Sequence, residues 1–99
     1  MEQVLPKKAL PVWRIYRAME ESKRKHFSYL EQLETKYKHG GSRTVAESIY
    51  LEGLLKQHGK QVTKFREAIK QLQRDDDEAH QALIEHITML NAQHNDPSY

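Results

Sequence analysis

Two adjacent glycines, Gly40 and Gly41, divide this 99-residue chain into two long stretches, each with a helical hydrophobic period. The three prolines, Pro6, Pro11 and Pro97, all lie near an end of the chain, so neither stretch carries an internal helix breaker. Both are rich in Glu, Lys, Leu, Gln and Ala, which favour the helix. The chain therefore reads as all-α, a single helical domain over 1–99 built on an antiparallel helical hairpin with coiled-coil-like packing.

The first helix is predicted over about residues 12–38. Its apolar positions Val12, Ile15, Tyr16, Met19, Tyr29, Leu30, Leu33 and Tyr37 recur at spacings that share one helical face. Pro11 suits a first helical position, and Gly40 suits a left-handed cap at the other end. Residues 1–10, with two prolines that hold their predecessors out of helical conformation, read as a flexible extended arm. Residues 95–99 read as a flexible tail.

After the linker Gly40-Gly41-Ser42-Arg43, Thr44 and Glu47 stand at the spacing of a capping box. A second helix is predicted over 45–74. Leu51, Leu55, His58, Val62, Phe65, Ile69 and Leu72 alternate spacings of four and three, a heptad seam that keeps phase through Gly53 and Gly59. The acidic run Asp75-Asp76-Asp77-Glu78 then offers an N-cap, with Asp75 and Glu78 at capping-box spacing. Two outcomes fit. Either a C-terminal helix starts here and runs over about 77–94, or the second helix continues unbroken to about residue 94.

Length matching adds a constraint. At about 1.5 Å per residue the first helix can cover the second only to about residue 72. The stripe Ala79, Leu83, Ile87 and Leu90 then lacks a partner within a simple hairpin. It must fold back or pack on another copy, and these four residues are the predicted partner interface. Two such hairpins would make a helical bundle on oligomerisation.

The net charge of +2 averages over an uneven distribution. Residues 1–74 carry sixteen Lys/Arg against eight Asp/Glu, whereas residues 75–99 carry six acids and no Lys or Arg. In the second helix, Lys56, Lys60 and Lys64 form one stripe and Arg66, Lys70 and Arg74 another, both opposite the apolar seam. These six are candidates for binding a polyanion, nucleic acid included. Arg14, Arg17 and the run Lys23-Arg24-Lys25 add charge on the first helix. No zinc finger, helix-turn-helix or base-stacking signature accompanies them.

Catalytic constellations are weak. The six histidines include no pair at helical ligand spacing; His26 and His58 fall on apolar faces and are expected to meet across the hairpin as a register contact. The paired acids Glu20-Glu21 and Asp75 to Glu78 read as solvated charge, and no phosphate-cradling glycine loop or nucleophile elbow occurs. Trp13 and Phe27 fall off the main apolar stripe, and one of them is read as a partner contact. With no cysteine, disulfides and thiolate sites are absent. No stretch approaches the roughly 18 apolar residues of a membrane span, and the first residues lack the apolar core of a secretory signal. The expectation is a non-enzymatic interaction module without cofactor, metal or small-molecule substrate. It would be soluble, intracellular and cytoplasmic, and would dock a second copy or another helical protein. An accessory nucleic-acid-binding protein is the alternative.

Overall fold

A computed structural model describes residues 5–94. A short 3-10 turn at Lys7–Ala9 leads directly into α1 (Leu10–Lys36), followed by α2 (Val45–Asp75) and α3 (Asp77–His94). The helices sit within two residues of their predicted bounds, and the acidic run does break the chain.

Local chemistry accounts for each boundary. Pro11 occupies the first turn of α1, where its missing N–H costs nothing. At the other end the Tyr37 N–H donates to the Leu33 carbonyl at 3.0 Å, and Gly40 N–H donates to the Tyr37 carbonyl at 3.2 Å. Gly40 and Gly41 have φ of +114° and +97°, a region that side chains with a Cβ rarely enter, so the reversal rests on both glycines. The Thr44–Glu47 capping box is present in both directions. Gly53 and Gly59 leave α2 uninterrupted. At the acidic run it is Asp76, rather than Asp75, that caps. Its backbone is extended, and its carboxylate accepts the Ala79 N–H at 3.1 Å. The residue three positions on is therefore Ala79, and no reciprocal box forms.

α1 and α2 pack antiparallel along most of their length. Tyr37 against Glu47, Tyr29 against Tyr50, Ser22 against His58, and Tyr16 against Phe65 set the register. Leu33 and Leu54 are buried in this seam. Leu54 replaces the expected Leu55, which is 54% exposed. The reason is helical pitch: Leu54 precedes Leu72 by five turns and so shares its azimuth, whereas Leu55 lies about 100° further round.

The principal core sits at the open end of the hairpin. Leu5, Ala9, Val12, Leu72, Ala79 and Leu83 form it, with Trp13, Phe65, Ala68, Ile69 and Ile87 packed around them. Two sequence expectations are corrected here. Residues 5–9 are a packed element that plugs this corner, whereas an arm was expected; residues 1–4 and the predicted tail 95–99 lie outside the described residues. The stripe on α3 is met by the chain's own N-terminal turn, by α1 and by the end of α2. The partner that a simple hairpin lacked is thus supplied in part by Leu5 and Ala9.

The molecule measures 52 × 33 × 16 Å. The three helices thus form an elongated, flattened bundle.

Candidate interaction surfaces

The predicted interface of Ala79, Leu83, Ile87 and Leu90 divides once α3 folds back. Ala79 and Leu83 are buried, with Leu83 fully out of solvent, and Ile87 packs against them. Ala79 and Leu83 are therefore internal and closed to a partner, while Ile87 is half-buried at the edge of this core. Leu90 is half-buried and borders an open cleft.

That cleft, of about 950 Å³, lies where α3 diverges from α1. Its apolar lining is Trp13, Tyr16, Phe27 and Leu90. The Trp13 ring stacks on Tyr16 with centroids 5.4 Å apart and receives His86 edge-on at 4.7 Å, which holds α3 against the start of α1. Tyr16 spans the cleft floor, its hydroxyl donating to the Asn91 side-chain carbonyl at 3.4 Å. Burial, together with the nearby Glu20 carboxylate, pushes the Tyr16 phenol up to about 12. Around the rim, Lys23 pairs with Glu20 at 3.4 Å and Arg24 with Glu21 at 3.2 Å. The cleft therefore mixes apolar and polar lining, with the cations Arg17, Lys23 and Arg24 balanced by the carboxylates Glu20, Glu21 and Glu31.

Phe27 extends this surface. It is 52% exposed and stands about 160° round α1 from Tyr29, which contacts Tyr50 on the opposite flank of the hairpin. Leu55 is likewise about 140° round α2 from Tyr50. The register set by Ser22–His58 places Phe27 and Leu55 at the same height. One flank of the hairpin thus carries two half-exposed apolar side chains above the cleft. The off-stripe position of Phe27 was a readable signal for this surface; Leu55 was hidden by its assignment to the seam.

The outward edge of α2 carries the predicted polyanion-binding residues. Lys56, Lys60, Lys64, Arg66, Lys70 and Arg74 are all exposed, and none joins an ion pair among the described residues. Above them on the same edge, Val45 and Ile49 are exposed as well.

The hairpin turn is fastened by one carboxylate. Glu47 accepts from Lys36 Nζ at 2.7 Å, from the Tyr37 hydroxyl, and from the Thr44 N–H at 2.9 Å. The Lys36 and Tyr37 hydrogen bonds, followed by that from Thr44, hold the Glu47 carboxyl down at about 2. The same bonds to Glu47 raise the pKa values of Lys36 and Tyr37.

The expected His26–His58 contact does not form. His58 Nδ1 instead lies 2.9 Å from the Ser22 hydroxyl, and His26 sits one turn on, beside the Phe27 ring at 5.7 Å. Ser22 Oγ donates its one proton to the Met19 carbonyl at 2.7 Å, so it must accept from a protonated His58 Nδ1. In this arrangement His58 has no lone pair directed at the hydroxyl and cannot act as its base. His80 Nδ1 is buried without a hydrogen-bond partner, 4.0 Å from Asp77. Among the described residues no three or more acidic or histidine side chains gather to hold a metal ion, and no helix is long and apolar enough to cross a membrane.

In comparisons with known proteins, the chain matches no protein-family model, no curated protein and no solved structure.

Proposed function

We propose that this chain is a non-enzymatic helical interaction module that self-associates, two copies meeting across the flank formed by Phe27, Leu55 and the α1–α3 cleft. The observation that carries this reading is a pair of large apolar side chains left uncovered on one flank. Phe27 and Leu55 stay about half exposed on the same side of the hairpin, beside the open cleft between α1 and α3. Small helical domains with a core this limited recover stability by oligomerising.

The surface differs from the one expected from sequence, because α3 consumes most of its own stripe. A second copy suits the flank because it would lay one charge-balanced, partly apolar face on its own equivalent, as a two-fold contact requires. The hydrogen-bonding of Ser22 and His58 supports the non-enzymatic part: the most suggestive serine–histidine pair in the chain is wired as a structural cross-link.

Light scattering on purified protein at micromolar concentration tests the reading. A dimer that Phe27→Asp with Leu55→Asp converts to a folded monomer is the expected result. A wild-type monomer over the accessible concentration range rejects it.

A further inference from the structure

We infer that the outward edge of α2 is a docking ridge for the phosphodiester backbone of a nucleic-acid duplex, seated over Gly59 and held by Lys56, Lys60, Lys64, Arg66, Lys70 and Arg74. The ridge borders the self-association flank, Gly59 lying one turn beyond Leu55, but the inference rests on the exposed cations and does not depend on self-association.

Three observations converge. The first is charge density: between Lys56 and Arg74 the only acid is Glu67, so six cations face one anion along about 27 Å of helix. The second is availability. All six ridge cations are exposed and join no ion pair among the described residues, so each is free to meet an incoming anion. The third is Gly59. Glycine disfavours a helix interior relative to alanine, yet a Cβ at this position would meet nothing within 4 Å. Packing within the chain therefore gives no reason for it. Gly59 shares its azimuth with Arg66 and Lys70 to within about 20°, at the margin of the ridge nearest Leu55. A missing side chain there lets an approaching backbone come close while the long flanking cations reach round it.

The ridge suits phosphate contact rather than base reading. Its residues are Lys and Arg on a helix whose aromatic in this stretch, Phe65, points into the core. Contacts of this kind position a protein on a duplex without selecting sequence.

Fluorescence anisotropy with short labelled DNA and RNA duplexes of unrelated sequence, at low and at physiological salt, tests this. Binding is expected to be sequence-independent and to fall by roughly a thousandfold between about 50 and 200 mM salt if all six cations engage. The triple variant Lys56→Gln, Lys60→Gln, Lys64→Gln should lower the slope of log affinity against log salt by about three. An off-ridge triple, Lys7→Gln, Lys8→Gln, Lys38→Gln, changes net charge equally and should leave most of the slope in place. Gly59→Ala should raise the melting temperature and still weaken binding several-fold. No binding to either duplex at about 50 mM salt overturns the inference. So does an equal loss from both triple variants, or equal affinity for poly-glutamate, which would make the ridge a contact for acidic protein. Unchanged affinity in the Gly59 variant would overturn the seat over that residue.

Discussion

Ser22 and His58, 36 positions apart in sequence, meet at 2.9 Å in the hairpin seam, the imidazole Nδ1–H donating to the serine hydroxyl. This contact sets which turn of α1 faces which turn of α2. With it, Tyr29 reaches Tyr50 and Tyr16 reaches Phe65.

Removing the acceptor should be costly. Ser22→Ala leaves the partly buried His58 N–H without its partner, and unfolding in urea should show a loss of about 1–3 kcal/mol. Replacing both residues with apolar ones of similar shape, Ser22→Ala with His58→Leu, should recover much of that loss. A double variant no more stable than Ser22→Ala would show that the pair does more than satisfy itself.

The carboxylate at the turn makes stability fall in acid. The Glu47 carboxyl is held at about 2 in the folded chain against an ordinary 4.5, so the unfolded chain takes up its proton first as the pH drops. Its stabilising contribution is complete above pH about 4.5 and drains away as the pH approaches 2. Glu47→Gln should flatten the urea midpoint across that window relative to the wild type. Parallel acid profiles for the two proteins would contradict the assignment.

Leu83 and Ile84 are neighbours with opposite duties on α3. Leu83 is fully buried, so Leu83→Ala should cost about 2–5 kcal/mol in urea unfolding. Ile84 is 38% exposed, and Ile84→Ala should cost about 1 kcal/mol or less. Equal effects would mean that α3 does not fold back as described.

The glycines separate in the same way. Gly40 holds a positive φ with open space around it, so Gly40→Ala should destabilise by about 1 kcal/mol or more through backbone strain alone. Gly53 has ordinary helical backbone and equal space, and Gly53→Ala should stabilise by about 1 kcal/mol. Melting temperatures should move in opposite directions.

What could be read from sequence was what local chemistry dictates. Thr44 and Glu47 cap each other within one turn, and Gly40 and Gly41 adopt a backbone that few other residues accept, whereas the acidic run leaves a break and an unbroken helix both open. These signals place the first two helices and the hairpin, and the structure decides for a separate third helix. The core at the open end escaped because its partners are far apart along the chain. Leu5 and Ala9 lie some seventy positions from Ala79 and Leu83, and a segment flanked by prolines carries no periodicity to betray its burial. Ser22 was missed for a related reason: a polar side chain is skipped when a seam is traced through apolar ones. The candidate surfaces divide likewise. The basic ridge follows from spacing alone, whereas the Phe27–Leu55 flank depends on which of two adjacent leucines faces the seam, a choice made by the tertiary register.

The mass of the protein in solution, measured by light scattering at micromolar concentration, tests the self-association reading most directly. A particle of about twice 11.7 kDa, reduced to a folded monomer by Phe27→Asp with Leu55→Asp, is predicted. A wild-type particle of 11.7 kDa that stays monomeric as concentration rises would contradict it.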